Sequence, residues 1–239
     1  MQIVILAAGR GIRISSMTNS RPKTLIEIQG RPILDYILST LQAINYSEII
    51  IVGGYKIGKL QAFLQTRSYQ KIRLIENNDY LKGSVLTILA AKKYIKEEFL
   101  LLNADHIIPA ALLKKMSQEK SGITIGCDFD RKLGPDDMKV KLDSKKHVST
   151  MDKQLIDYDC GYIGMTYCSF SMKDFYFEAL DTILKMNDGE AKNVEFIIST
   201  LAKTQSINIC DLSNVGWLEI DNNKDLQTAR SKINHLPIQ

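Results

Sequence analysis

The sequence predicts an α/β fold with a mostly parallel central sheet, helices on both faces and a small antiparallel flap. In the first half of the chain, short apolar runs alternate with runs of helical periodicity, which is typical of parallel strands joined by helices. Beyond Ser121 the apolar runs are separated by tight turns, which is typical of antiparallel pairing. We therefore expect one domain over residues 1–239, with the flap at about 121–170.

Strand–helix units fill the first half of the chain. Pro32 is suited to the first turn of a helix, and the apolar residues after it recur at helical spacing. The predicted strands are 2–6, 47–52, 72–76 and 99–103. The predicted helices are 33–44, 56–64 and 84–94, and residues 7–23 form a long loop that contains Gly and Ser.

The second half begins with the predicted flap and ends with helices. A Lys-Lys turn at 145–146 separates two of its strands. The predicted strands are 122–127, 138–142, 147–151, 160–167, 207–211 and 217–220. The predicted helices are 172–184, 193–203 and 224–233.

Composition and charge limit the classes of ligand. The formal net charge of +4 is spread along the chain, and no basic run or Arg–aromatic interleaving suggests a nucleic-acid groove. The pattern favours small anionic ligands at a local site. The four cysteines lack the spacing of a zinc site, so we expect reduced, buried thiols. We also expect a cytoplasmic protein without membrane insertion, because the sequence shows no signal-peptide pattern and no apolar stretch of spanning length.

A small-residue loop follows the first predicted strand. Ligands of open α/β sheets bind beyond the carboxyl ends of the strands, and small residues let backbone N–H groups approach an anion there. Arg13 and Lys23 add cations at the same end of the sheet. The alternative is a tight turn with solvated cations. The candidate phosphate-binding residues are Leu6, Ala7, Ala8, Gly9, Gly11, Arg13 and Lys23.

Two carboxylates follow predicted strands and form a candidate metal site. Asp105 comes just after the strand at 99–103, and Asp221 comes at the end of the strand at 217–220. Two carboxylates that meet at a sheet edge need a cation or a proton to offset their repulsion, and Mg²⁺ is the simpler answer. The alternatives are that Asp105 forms a turn or cap and that Asp221 caps the last helix.

The sequence contains no arrangement of residues that suggests a protein nucleophile. No Ser/His/Asp pattern is visible, and no cysteine has an activating neighbour. His106 is either a hydrogen-bonding partner of a substrate or a structural histidine. Direct transfer is therefore expected, in which a phosphate oxygen of the acceptor attacks the α-phosphorus and the protein supplies positioning and charge.

These features together resemble a known family. The motif Leu6-Ala7-Ala8-Gly9-x-Gly11-x-Arg13, then Pro22-Lys23, Asp105 and Asp221, is similar to nucleotidyltransferases of the GT-A-like Rossmann class. Within that class, Lys82-Gly83, Asn103 to His106 and Asp152-Lys153 resemble the CTP:inositol-1-phosphate cytidylyltransferases. This chain departs from the pattern at Ala104, where Gly is usual, and at Thr24, where a second Pro is usual.

The resemblance implies a ligand for each group of candidate site residues. It implies that Arg13 and Lys23 hold the triphosphate of CTP, and that Lys82, Gly83 and Ser84 contribute to the nucleotide site. It implies Mg²⁺ on Asp105 and Asp221, and the phosphate of a small alcohol phosphate, inositol 1-phosphate, on Lys153. The bland interpretation of Lys153 is a solvated lysine paired with Asp152 or Asp157.

The acceptor stays open at this point. The ending Glu219-Ile220-Asp221 is similar to the phosphocholine cytidylyltransferases, and sugar 1-phosphates are a third acceptor class. Choline would need an aromatic box, for which Tyr158, Tyr162 and Trp217 are candidates, whereas a polyol would be bound by groups such as Asp128, Asp159 or the backbone near Gly161. A GT-A glycosyltransferase is disfavoured because it has no triphosphate to bind. A non-catalytic nucleotide-sensing domain and a homo-oligomer also remain open.

Overall fold

The computed structural model describes residues 1–14 and 21–238, and its centre is a nine-stranded sheet. The strands of the described chain are β1 (Gln2–Ala7), β2 (Glu27–Ile28), β3 (Arg31–Pro32), β4 (Glu48–Gly53), β5 (Ile72–Glu76), β6 (Phe99–Asn103), β7 (His106–Ile107), β8 (Ile123–Asp128), β9 (Lys139–Leu142), β10 (Val148–Asp152), β11 (Cys160–Cys168), β12 (Ile207–Asp211) and β13 (Leu218–Glu219). The helices are α1 (Ile33–Thr40), α2 (Ile57–Gln65), α3 (Val85–Ala91), α4 (Ala110–Ser117), α5 (Lys173–Leu184), α6 (Glu195–Leu201) and α7 (Asn223–Lys232).

The central sheet is mostly parallel, as the sequence predicts. Its main path runs β10-β9-β11-β6-β1-β4-β5, while β8 also pairs with β11 and β12 pairs with β8. The pairings of β1 with β4 and β6, of β4 with β5 and of β8 with β12 are parallel. Strand β11 runs antiparallel to its partners β6, β8 and β9, and β10 runs antiparallel to β9. Seven of the nine strands of this described sheet therefore point in one direction, and β10 and β11 point in the other.

Apolar layers cover both faces of the sheet. Along β1, Ile3 and Ile5 join one buried cluster and Val4 joins the other, because successive strand residues point to opposite faces. The cluster with Ile3 includes side chains of α1, α4 and α7, whereas the cluster with Val4 includes side chains of α3, α5 and α6. The four cysteines are buried and free, as expected.

The structure changes several boundaries and adds elements that the sequence pattern does not show. The predicted flap at 121–170 includes β8 and β11, which are wholly buried strands of the central sheet, and the short β9–β10 hairpin stands at the edge. The predicted helix at 84–94 ends at Ala91 and continues as one 3₁₀ turn. The β2–β3 hairpin, β7 and α4 had no predicted counterpart. Part of the predicted loop at 7–23 lies outside the described residues.

No helix in the described part of the chain combines the length and the apolar character needed to cross a bilayer.

A bulge in β11 brings its backbone against the edge of the site. Three residues of β11 between Tyr162 and Thr166 face a single residue of β8, and Gly164 in their middle has φ +72°. A Cβ atom at this position would lie 3.0 Å from Nδ1 of His106 and 3.1 Å from Cβ of Asn103. Glycine is therefore required both by the backbone conformation and by the space.

We expect the change Gly164→Ala to lower the free energy of unfolding by about 1–3 kcal/mol, because it adds left-handed strain and a tight contact. The matched control is Gly58→Ala in α2, where no atom lies within 4 Å of the added Cβ. That control should not lower the stability and should raise it by at most roughly 1 kcal/mol, since Gly58 lies in the first turn of α2 and alanine favours a helix over glycine. Urea denaturation of the two variants measures both values. Equal stability of the Gly164→Ala variant and the wild type would contradict the requirement.

Candidate active site

A cavity of about 360 Å³ opens beyond the carboxyl ends of β1 and β6. This is the place where ligands bind in open α/β sheets. Its lining residues come from segments that are distant in sequence: Leu6, Ala8, Gly9, Arg13, Tyr80, Lys82, Ser84, Thr87, Asn103, Asp105, His106, Asp136, Asp137, Met138, Lys153, Tyr162, Asn193, Glu195, Glu219 and Asp221.

Three predicted site residues meet beside this cavity: Asp105 and Asp221 line it, and Lys23, which does not line it, contacts both of them. The Nζ atom of Lys23 lies 2.8 Å from Oδ2 of Asp105 and 2.5 Å from Oδ1 of Asp221. The side chain of Lys23 is 12% exposed, whereas those of the two aspartates are 27% and 22% exposed. Burial acts to lower the pKa of Lys23, but the two carboxylates outweigh it, and its pKa is raised. Burial acts to raise the pKa of Asp105, but Lys23 and His106 hold it well below its usual range.

The pairing of β7 with β13 brings the two aspartates together. These short strands form a separate antiparallel pair in which His106 faces Glu219, and Ile220 donates its backbone N–H to the carbonyl of Asp105 at 3.0 Å. The predicted strand at 217–220 is thus shorter than expected and does not join the central sheet. Its pairing still places Asp105 and Asp221 side by side, as the sequence predicts.

The cap of α7 is formed by Asn222 and not by Asp221. The Asn222 side chain accepts hydrogen bonds from the backbone N–H groups of Lys224 and Asp225, and Asp225 accepts one in return from the N–H of Asn222. The alternative in which Asp221 caps the last helix is therefore wrong. The carboxylate of Asp221 instead contacts Lys23 and, at 3.7 Å, Nη1 of Arg13.

The glycine loop after β1 supplies one end of the cavity. Leu6, Ala8 and Gly9 line the cavity, whereas Ala7 is buried in the apolar cluster that also includes Ile3. Gly11 has φ +66° and lies so close to Lys23 that an added Cβ would be 2.9 Å from Cβ of that lysine. Ala7 and Gly11 therefore shape the site from behind and do not line it.

Arg13 lines the cavity and is about half exposed. Its Nη1 atom lies 3.3 Å from Oδ2 of Asp136, which belongs to the segment between β8 and β9. Both Arg13 and Asp136 are largely exposed, at 54% and 73%, so this ion pair contributes little to stability. The guanidinium remains accessible to a ligand in the cavity.

The predicted nucleotide residues at 82–84 split into two groups. Lys82 and Ser84 line the cavity, and Nζ of Lys82 lies 2.8 Å from Oε2 of Glu190. Gly83 does not line it, because it packs against another backbone segment: its N–H donates to the carbonyl of Glu190, and an added Cβ would be 2.1 Å from the carbonyl oxygen of Lys192. No pattern in the sequence indicates that the segment around Glu190 packs against Gly83.

Lys153 lines the cavity, and its ammonium group has no hydrogen bond or ion pair with any other described residue. Asp157 pairs with Lys141 at 2.7 Å, and Asp152 accepts a hydrogen bond from the backbone N–H of Gln154. The bland interpretation of Lys153 as a partner of Asp152 or Asp157 is therefore wrong. The backbone carbonyl of Lys153 accepts a hydrogen bond from Lys139 at 2.6 Å, which fixes the position of the segment.

Most of the residues that the sequence suggests for recognition of the acceptor do not line the cavity. Asp128 and Asp159 do not line the cavity. Asp128 instead accepts a hydrogen bond from Nε1 of Trp217, and Asp159 accepts one from the backbone N–H of Leu142. Of the three aromatic residues proposed for a choline box, Tyr162 alone lines the cavity, and its hydroxyl bonds to Thr166 at 2.9 Å.

His106 is a structural partner of the carboxylate cluster. Its side chain is 6% exposed, its Nδ1 lies 2.6 Å from Oδ1 of Asp105, and its ring stacks on Trp217 with centroids 5.2 Å apart. Burial acts to lower the pKa of His106, but Asp105 outweighs it, and the pKa is raised. The contact fixes one oxygen of Asp105 while Lys23 bonds to the other.

Three polar residues that were not predicted as site residues also line the cavity. Nδ2 of Asn103, at the end of β6, donates to Oε1 of Glu195, the first residue of α6, at 3.1 Å. Glu219 lines the cavity two residues before Asp221, and burial raises its pKa. Asn103 and Glu219 were visible as neighbours of the predicted metal ligands, whereas nothing in the sequence places Glu195 beside them.

Comparisons with known proteins agree with this geometry. The family model of the MobA-like NTP transferase domain matches residues 3–130. The bifunctional IPC transferase and DIPP synthase of Aquifex aeolicus is 28% identical over 230 residues, which are 95% of this chain and 50% of the relative. The bifunctional protein GlmU of Methanococcus vannielii is 29% identical over 195 residues, which are 80% of this chain and 45% of the relative.

Solved structures share the fold at lower identity. The inositol-1-phosphate CTP transferase from T. maritima has a TM-score of 0.84 at 19% identity and covers 99% of this chain and 95% of that one. The CTP:phosphocholine cytidylyltransferase from Streptococcus pneumoniae has a TM-score of 0.77 at 17% identity, and the match covers 97% of this chain and 98% of that one. Both show the GT-A-like nucleotidyltransferase fold that the sequence predicts.

The chain spans about half the length of the curated relatives that it matches. The matched family model nevertheless covers more than half of this chain, including the glycine loop, Lys23 and Asp105. The chain therefore belongs to the family of MobA-like NTP transferase domains.

Proposed function

We propose that this chain transfers CMP from CTP to inositol 1-phosphate in a Mg²⁺-dependent reaction and releases pyrophosphate. The observation that supports the proposal most is the ion cluster of Lys23, Asp105 and Asp221 beside a cavity that the glycine loop, Arg13 and Lys153 also line. The site thus combines several cations for phosphate groups with a pair of carboxylates.

The end of the cavity with the glycine loop is suited to the triphosphate. Backbone N–H groups of small residues and the guanidinium of Arg13 can bond to phosphate oxygens there. Lys23 supplies a second positive charge. When the substrate enters, the ammonium group of Lys23 must either leave Asp105 and Asp221 or share these carboxylates with another cation. The loop at 82–84 is suited to the nucleoside, because Lys82 and Ser84 face the cavity while Gly83 is held against the backbone of Lys192.

Asp105 and Asp221 fit a magnesium ion. In this structure the positive charge of Lys23 lies between two oxygens of these carboxylates, so the donor set already binds a cation. No group of three or more Asp, Glu, His or Cys side chains in the described chain could hold a metal ion alone. Mg²⁺ is commonly held by one or two carboxylates with substrate phosphates and water, which agrees with this set. When bound, it would neutralise charge on the phosphate oxygens.

The other end of the cavity is suited to the acceptor. Lys153 has a free ammonium group that can bond to the acceptor phosphate, while Arg13 and Lys23 are assigned to the triphosphate in this scheme. An oxygen of the acceptor phosphate attacks the α-phosphorus, the bond from the α-phosphorus to the bridging oxygen breaks, and pyrophosphate leaves with that oxygen. The protein contributes positioning and positive charge in this scheme.

A neutral polyol fits the acceptor end better than choline does. A quaternary ammonium needs open aromatic faces, but the guanidinium of Arg131 already lies 4.4 Å from the ring centroid of Trp217, and His106 stacks on the same indole. Polar groups such as Asn193 line the cavity together with Tyr80 and Tyr162 and can bond to hydroxyl groups. The name of the T. maritima protein, inositol-1-phosphate CTP transferase, agrees with an inositol phosphate. Sugar 1-phosphates remain the second candidate class, because a solved protein with the same fold is named a putative glucose-1-phosphate thymidylyltransferase.

The cytoplasmic location stays a prediction from the sequence, and a homo-oligomer stays an open alternative.

The substrate assignment is tested by pyrophosphate release from four nucleoside triphosphates with inositol 1-phosphate, phosphocholine or glucose 1-phosphate. CTP with inositol 1-phosphate should give the highest rate. Lys153→Ala should raise the KM of the acceptor by about tenfold, since a charged hydrogen bond contributes about 1.5–3 kcal/mol. Lys145→Ala, an exposed lysine in the turn of the same hairpin, should leave that KM unchanged. A higher rate with phosphocholine would overturn the acceptor, and an unchanged KM in Lys153→Ala would overturn the role of this lysine.

Metal dependence is tested by chelation and by Asp105→Asn. Turnover should disappear in excess chelator and return with added Mg²⁺, and the variant should lose on the order of a hundredfold in turnover, because a metal ion supplies several kcal/mol at the transition state. The matched control is Asp174→Asn, which changes an exposed carboxylate of α5. Circular dichroism checks that both variants fold. Wild-type turnover in chelator would show that the reaction needs no metal.

The role of Arg13 is tested by the binding of CTP to Arg13→Lys, measured by titration calorimetry. We expect about tenfold weaker binding, because a point charge cannot reproduce the planar fork of a guanidinium on phosphate oxygens. Arg21→Lys is the matched control, since Arg21 is exposed and pairs with Glu27. Equal CTP affinity in the wild type and Arg13→Lys would make Arg13 a surface cation only.

A further inference from the structure

We propose that Arg131 is a positioning residue that fixes the acceptor end of the cavity from behind. The proposal rests on the proposed function, since it assigns Lys153 to the acceptor, and Nζ of Lys139 joins the carbonyl of Lys153 at 2.6 Å to the carbonyl of Asp137 at 3.5 Å. Arg131 itself does not line this cavity; it lines a separate open cavity of about 680 Å³. It therefore acts through the residues that it contacts.

The guanidinium of Arg131 contacts two cavity-lining carboxylates that lie far apart in sequence. Its Nη1 atom lies 3.4 Å from Oε2 of Glu219, which belongs to β13. Its Nη2 atom lies 3.3 Å from Oδ1 of Asp137, which belongs to the segment between β8 and β9. The two carboxylates are 19% and 17% exposed, so each is mostly shielded from water. One planar cation thus sets the distance between these two walls of the cavity.

A third contact orients the guanidinium. It lies over the indole of Trp217 at 4.4 Å, and Nε1 of this indole donates to Oδ2 of Asp128 at 2.8 Å. The other oxygen of Asp128 accepts a hydrogen bond from the backbone N–H of Arg131 at 3.2 Å. The backbone of Arg131 and the ring under its side chain are therefore fixed by the same carboxylate. Stacking on an indole and bonding to two carboxylates at once requires a planar group with several donors.

The segment that contains Asp137 depends on this contact for its position over the cavity. The second oxygen of Asp137 accepts from the N–H of Gly134 at 2.5 Å, which closes a turn. Asp136, the next residue, faces Arg13. Without Arg131, Glu219 and Asp137 would be two shielded carboxylates with no common cation, and their repulsion would separate β13 from the segment.

The test measures the binding of CTP and of inositol 1-phosphate separately, by calorimetry, to the wild type, Arg131→Ala, Arg131→Lys and Lys132→Ala. We expect inositol 1-phosphate to bind about tenfold more weakly to Arg131→Ala. CTP affinity should fall by less than about threefold, because the exposed pair of Asp136 with Arg13 contributes little. Arg131→Lys should recover part of the loss, because it restores the charge but not the fork. Lys132→Ala removes the neighbouring exposed lysine and should match the wild type.

A spectroscopic measurement adds an independent check. Trp217 is the single tryptophan of the sequence, so its emission spectrum without ligand should change in Arg131→Ala and stay the same in Lys132→Ala. An unchanged spectrum would show that the guanidinium does not contact the indole and would overturn the proposal.

Three binding results would also overturn the positioning role: unchanged acceptor affinity in Arg131→Ala, an equal loss of CTP and acceptor affinity together with a lower Tm, or full recovery in Arg131→Lys. These results differ from failure of the proposed function. If the proposed function were wrong, the wild type itself would bind neither CTP nor inositol 1-phosphate.

Discussion

The ion cluster of Lys23 with Asp105 and Asp221 is the interaction on which the site depends. It joins three parts of the chain that lie far apart in sequence, and each partner compensates a charge that burial would otherwise disfavour. A lysine at 12% exposure without these carboxylates would tend to lose its proton, and the carboxylates without a cation would repel each other. The free protein therefore keeps the site assembled with its own ammonium group before a substrate supplies other charges.

The geometry of this cluster follows from backbone pairing outside the central sheet. The short β7–β13 pair matches His106 with Glu219, so that the chain beyond each strand delivers one aspartate to the same point. The cap formed by Asn222 and Asp225 then begins α7 immediately after Asp221 and leaves the carboxylate of Asp221 for the site. A functional site is thus placed by two-residue strands, which contribute little to stability alone and depend on the apolar layers beside them.

Most of the fold could be predicted from the sequence, because apolar periodicity distinguishes buried parallel strands from helices. The same periodicity cannot distinguish β11 as a central strand from a flap strand, since both are apolar and bounded by turns. Arg13, Lys23, Asp105 and Asp221 were predictable because they follow strands whose ends meet at one edge. Glu195 and Asp137 were not, since they come from a helix start and an irregular segment that only the tertiary packing brings to the cavity.

The close packing of Gly83 against the backbone of Lys192 has a consequence for protein engineering. The loop at 82–84 is bonded to the segment at 190–194 by the N–H of Gly83 and by the hydroxyl of Ser84, although about a hundred residues separate them. A nucleoside preference built from residues of this loop therefore could not be transplanted into a related chain by exchanging the loop alone. The two segments form one transferable unit, and a graft would have to include both.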